Sequence, residues 1–173
     1  MGTIISSAPP AKILSIFNLD NFGAVTGTTA NTLTGSVLIP ANTIIELPSP
    51  GGMIAELTAR AIKTGVTGFA LLRIYVNTTS SLSGATLLAT GGVPGATDLY
   101  QQLDRTMFIG ESPTNTKVAP STFSLFSDNA RSIGAESNVV IDWSVDQYII
   151  LAIQNVSALD TSTGSGIIFK IYK

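Results

Sequence analysis

Met53-Ile54-Ala55-Glu56-Leu57-Thr58-Ala59-Arg60-Ala61-Ile62-Lys63-Thr64 is the stretch that decides the fold. Met53, Ala55, Leu57, Ala59 and Ala61 share one side of a period-two repeat, and Glu56, Thr58, Arg60 and Thr64 share the other. Successive side chains of a strand point to opposite faces, so this pattern makes a strand with one dry and one wet face. Phe69–Asn77 repeats it, with Leu72, Ile74 and Val76 inward and Arg73 and Tyr75 outward. The Thr64-Gly65-Val66-Thr67-Gly68 segment between them has hairpin length and predicts that the two strands pair.

The same period continues toward the C-terminus. Asn138–Trp143 aligns Val139, Ile141 and Trp143; Tyr148–Gln154 aligns Ile149, Leu151 and Ile153; Gly166–Tyr172 aligns Ile167, Phe169 and Ile171, with Lys170 opposite. Asp142–Gln147 reads as the turn joining the first two. In the other direction, strands are expected at Lys12–Phe17, Thr34–Pro40 and Thr43–Leu47. A turn at Pro40-Ala41-Asn42 separates the last two, because proline fixes φ and asparagine tolerates the left-handed region. Ser49-Pro50-Gly51-Gly52 is a second turn. Residues 18–31 read as loop, residues 78–84 as a polar loop closed by Gly84, and Ala85–Thr90 as a return strand. Arg105–Ile109 and Thr122–Phe126 flank a loop holding Pro113 and Pro120. No segment sustains apolar spacing of three and four, so the only helical feature expected is a short turn near Asp98–Leu103.

Residues 1–11, with Pro9-Pro10, read as an N-terminal arm, and residues 12–173 as a single domain. Roughly eight to ten strands in a chain of this size fold most naturally as two packed antiparallel sheets. The expected class is therefore all-β, an antiparallel β-sandwich. A jelly roll suits the length better than an immunoglobulin-like domain, which needs only about 100 residues.

Composition bounds the chemistry. There is no histidine and no cysteine, and 12% of the chain is charged against about 25% for an ordinary domain. Serine and cysteine catalysis through histidine is thereby excluded within one chain, and soft-metal sites lose their main ligands. No metal or other cofactor is expected. The net charge is -2 and the nine Lys and Arg residues are scattered, so no nucleic-acid surface is expected. No run of 18 apolar residues marks a membrane span. Met1-Gly2-Thr3-Ile4-Ile5-Ser6 matches the permissive myristoylation pattern but reads as plain arm, and no signal peptide is expected. Surface charge keeps monomers apart. So little of it, with a mean hydropathy of +0.39, predicts a homo-oligomer.

Few residues invite a functional reading. Asp142 and Asp146 flank Trp143 and are the one carboxylate pair worth testing for glycoside hydrolysis, but their spacing brackets a tight turn. Asp20-Asn21 and Asp128-Asn129 read as turns, not calcium loops, and Gly51-Gly52 and Gly91-Gly92 lack a phosphate-loop context. The sequons at Asn77 and Asn155 have no secretory context. Trp143 shares parity with the core residues Val139 and Ile141; its functional alternative is stacking on a sugar ring. Tyr75, Tyr148 and Tyr172 sit opposite core parity and are candidates for a subunit interface or a glycan surface, since tyrosine offers apolar area with a polar tip. Tyr100 joins Trp143 as a candidate glycan-contacting aromatic.

Leu38-Ile39-Pro40-Ala41-Asn42-Thr43-Ile44 resembles a strand-turn-strand element of bacteriophage virion jelly rolls. Leu72–Ala89, centred on Asn77-Thr78-Thr79-Ser80-Ser81, is similar to the segment that follows it there: an outward strand, a polar loop, an apolar return. The resemblance extends over Gly35–Thr90 and Asn138 to the end. It implies a structural component of a virion, of head-fibre, decoration or tail type, commonly a homotrimer that binds other virion proteins, with no catalytic residues to transfer. The alternative is a carbohydrate- or receptor-binding module of a phage adsorption apparatus.

Overall fold

The computed structural model describes residues 13–18, 22–26, 32–44, 53–92, 99–109, 116–118 and 137–172. They form eleven strands: β1 (Ile13–Asn18), β2 (Ala24–Thr26), β3 (Thr32–Ile39), β4 (Met53–Thr64), β5 (Ala70–Asn77), β6 (Thr86–Gly92), β7 (Tyr100–Ile109), β8 (Thr116–Val118), β9 (Ser137–Val139), β10 (Gln147–Asn155) and β11 (Thr161–Tyr172). The expected arm, Thr122–Phe126, Leu47, Asp20-Asn21 and Asp128-Asn129 lie outside the described residues.

One sheet has the order β1-β11-β4-β7-β8-β9, with β2 also paired to β11; the other has the order β3-β10-β5-β6. Every pairing is antiparallel. Three strands, β2, β8 and β9, are only three residues long. Setting them aside leaves eight strands numbered along the chain. They fall in the order first-eighth-third-sixth in one sheet and second-seventh-fourth-fifth in the other. That is the double Greek key of a jelly roll, as the sequence pattern predicts.

Period two holds in detail. β4 alternates buried and exposed along its whole length, because its inner residues face the opposite sheet. Leu57, Ala59, Leu72, Ile74, Ile149, Leu151, Ile167 and Phe169 share one core. Trp143 is 1% exposed and stacks on Phe169, ring centroids 6.1 Å apart. In β10, Ile150 and Ala152 are buried although they lie off the inner parity; the strand is central, flanked by β3 and β5.

Four expectations are corrected. The 65–69 segment is not a hairpin: β4 and β5 belong to different sheets, so it crosses between them. The supposed helical turn near 98–103 is the start of β7, whose register continues along β4 to the Ile62–Tyr100 pair. Thr43 and Ile44 extend the turn rather than starting a strand. The strand expected at Asn138–Trp143 is shorter: β9 ends at Val139, and Trp143 lies in a turn. The Pro40-Ala41-Asn42 turn is present, with Asn42 at φ 62°.

One end of the sandwich is locked by a buried polar cluster. Lys63 lies on the inner parity of β4, and its Nζ is 3.5 Å from Asp160 Oδ2, with both side chains wholly buried. Lys63 also donates to the Gly68 carbonyl. Asp160 accepts from the Thr67 hydroxyl at 2.8 Å, the Thr67 amide at 3.2 Å and the Gly68 amide at 2.8 Å. Asn155 donates to the carbonyls of Val25 and Asp160, and Ser162 donates to Asn155. These bonds clamp the 65–69 crossover to the 156–160 turn. Gly65 is required there: its φ is +94°, and a Cβ would collide with the Asp160 carboxylate. Burial pushes the Asp160 carboxyl up, but its hydrogen bonds from Thr67 and Gly68 and the Lys63 ammonium outweigh this and hold it below the usual range.

Candidate functional site

The two sheets present different surfaces. Across β3, β5, β6 and β10 the only charged residue is Arg73, whose guanidinium donates to Gln154 at 2.9 Å. Tyr75 and Tyr148 are on this sheet, half-buried and off the inner parity as expected. Tyr75 is opposite Leu87 on β6 and Ile150 on β10, and Tyr148 is opposite Leu38 on β3 and Asn77 on β5. Leu38 and Leu87 are exposed. The sequence candidates Tyr75 and Tyr148 therefore share a face whose single charge is Arg73.

The outer face of β11-β4-β7 is built differently. The register stacks its outward residues in cross-strand rows: Tyr172–Ile54–Phe108, Lys170–Glu56–Thr106, Ile168–Thr58–Asp104, then Arg60–Gln102 and Ile62–Tyr100. The outer rows are apolar or aromatic, and the middle rows are polar apart from Ile168. The polar groups orient one another. Tyr172 Oη donates to Glu56 at 2.8 Å, Thr58 Oγ1 to Asp104 at 2.6 Å, Gln102 Nε2 to the other Asp104 oxygen at 2.8 Å, and Arg60 Nε to Gln102 at 3.0 Å. The Tyr172 hydroxyl is held above its ordinary pKa by its hydrogen bond to Glu56, then by burial and by the Glu56 charge. A depression of about 230 Å³ lies over Glu56, Thr58, Asp104 and Thr106. Tyr172 and Tyr100 thus share a face, and Tyr100 is its most exposed aromatic at 79%.

The remaining candidates separate clearly. Trp143 is in the core, as its parity indicates, and this removes it from any contact surface. Asp142 and Asp146 are turn-formers. Asp142 Oδ1 accepts from the Ser144 hydroxyl at 2.5 Å and the Ser144 amide at 2.9 Å, and those bonds lower its pKa. Asp146 Oδ1 accepts from the Ala41 amide at 2.8 Å, tying the turn to the loop after β3. Asn77, the first sequon residue, donates its side-chain amide to the Ser81 and Ser83 carbonyls and organises the polar loop. Among the described residues, no group of three or more Asp and Glu could hold a metal ion. Among the described residues, no helix is long and apolar enough to cross a membrane. Sequence reasoning missed the polar middle rows. Their signal was the outward set of β4 read against an unrecognised partner, β7.

No protein-family model and no curated protein matches this chain. Among solved structures it is similar to the CBM2 module of the evolved Dit of Lactobacillus casei BL23 phage J-1, at 12% identity and a TM-score of 0.38, over 86% of this chain and 74% of that one. It is also similar to the structure of infectious bursal disease virus Gx strain, at 12% identity and a TM-score of 0.30, over 99% of this chain. The chain spans 44% of that second protein's length. At these values neither likeness defines the fold; the chain's own strand order does.

Proposed function

We propose that this chain is a non-enzymatic structural component of a phage particle, of head-fibre, decoration or tail-associated type, which assembles with its own copies and with other virion proteins. The observation that carries the reading is the jelly roll whose four-stranded sheet holds a single charged residue. Permanent interfaces are large and depleted of charge, and that sheet has the composition they need. The likeness of Leu38–Ile44 and Leu72–Ala89 to phage virion jelly rolls supports the same reading: the second segment is here the β5–β6 hairpin around its polar loop. A homotrimer is the assembly that resemblance implies, and the virion its location. Light scattering on the purified chain, with mass spectrometry of purified particles, tests it. A stable oligomer weakened by Leu38→Asp with Leu87→Asp, and the chain in the particles, is expected. A monomer at every concentration, or particles lacking the chain, overturns it.

The carbohydrate- or receptor-binding alternative is favoured by one observation, the exposed Tyr100 at the edge of an ordered polar face.

A further inference from the structure

We propose that the outer face of β11-β4-β7 is a binding groove for a neutral saccharide chain laid along β4. The inference deepens the carbohydrate-binding alternative, on which it rests, and lies on a different sheet from the one that carries the assembly reading.

Charge argues first. Glu56 and Asp104 are balanced by Arg60 and Lys170 on the same three strands, so the face carries no net charge. It offers no field to a polyanion or a basic peptide. Nor does it suit a second protein surface, whose interface centre is depleted of charge; four charged groups would have to be desolvated here. A neutral ligand dense in hydroxyls is the complement. It exchanges hydrogen bonds with carboxylates, amide and guanidinium, and leaves none of them as an unpaired ion.

Geometry argues second. The polar side chains are already held by one another, so little ordering entropy remains to be lost on binding. They keep spare capacity. A carboxylate accepts at about four lone-pair positions, and Asp104 uses two in the bonds from Thr58 and Gln102. Arg60 commits its Nε to Gln102 and remains exposed. The depression over Glu56, Thr58, Asp104 and Thr106 lies between the two apolar rows.

Length argues third. Ile54 and Ile62 are eight residues apart along one strand, about 26 Å at the usual rise. Their partners Phe108 and Tyr100 bring an aromatic ring to each row. Flat apolar platforms at both ends and hydrogen-bonding groups between suit a chain of rings rather than one ring. Tyr100 supplies the more open platform.

The test is calorimetry with a panel of neutral oligosaccharides built from glucose, mannose, galactose, rhamnose and N-acetylglucosamine, five to six rings each. At least one member is expected to bind. Tyr100→Ala and Asp104→Asn should each weaken it tenfold or more, while Ser80→Ala in the exposed loop between β5 and β6 leaves it unchanged. Tyr100 is so exposed that its truncation does not threaten folding, so loss of binding there reads the site. Absence of binding across the panel at millimolar concentration overturns the proposal. So does binding restricted to anionic sugars, or undiminished affinity in both variants. Because Tyr100 and Asp104 lie away from the four-stranded sheet, self-association is expected to persist in both variants, and the two readings fail independently.

Discussion

Trp143→Ala tests the assignment of the one tryptophan to the core. A buried aromatic removes about 200 Å² from water, and at about 25 cal/mol per Å² that is about 5 kcal/mol. Truncating such residues in cores costs about 3–5 kcal/mol once partial collapse is included. Trp143 is 1% exposed and loses its stacking on Phe169, so about 4 kcal/mol is expected. For a domain of this size each kcal/mol moves Tm by about 2–4 °C, so a fall of roughly 8–16 °C follows. Denaturant unfolding followed by circular dichroism measures the change without the fluorophore. In the native protein, acrylamide should quench tryptophan emission only weakly. A cost under about 1 kcal/mol, or free quenching in the folded state, would refute the packing argument and return Trp143 to the surface.

Other outcomes follow from particular groups. Asp160 has its carboxyl depressed in the folded state, so its stabilising contribution is complete above about pH 4, near the unfolded value, and is lost as pH falls through the folded value. Asp160→Asn should therefore be less stable than wild type at neutral pH, with the gap closing in acid; a pH-independent gap would contradict the charge argument. Gly65→Ala should cost at least about 1–2 kcal/mol from its left-handed φ alone, read by chemical denaturation, and more if the Asp160 clamp opens. Gln101 is buried and neither its Nε2 nor its Oε1 has a hydrogen-bond partner. Gln101→Met should raise stability by about 1–3 kcal/mol, the penalty of leaving such a group unpaired, and an unchanged or lowered midpoint would show that the amide is satisfied.

Strands were legible wherever one face is buried and the other wet. β4 reads off the sequence to its last residue, because alternation is the signature of such a strand. The inward parity of Trp143 and the outward parity of Tyr75, Tyr148 and Tyr172 were legible for the same reason. Partner choice was not. Hairpin-length Thr64–Gly68 looks local, yet Lys63 and Asp160 hold it against a turn nearly a hundred residues away. β7 was disguised by Gln101 and Arg105, polar residues on its inner parity that blur its alternation. Arg105 is nonetheless inward and buried, donating to the carbonyls of Thr90 and Asp104. The candidate groove was invisible for a related cause. Its rows exist only once β7 is set beside β4 in register, and neither strand alone reveals a row.

The pairing of β1 with β11 sets how the domain bears mechanical load. Ile13 lies opposite Tyr172 and Asn18 opposite Ile167. Tension applied between Ile13 and Tyr172 would peel the rungs apart one after another, which takes little force. Tension between Asn18 and Tyr172 would shear all the rungs together. A tether that hauls on the domain through Ile13 and Tyr172 therefore finds its weakest seam, and anchorage through the clamped crossovers at the opposite end avoids it.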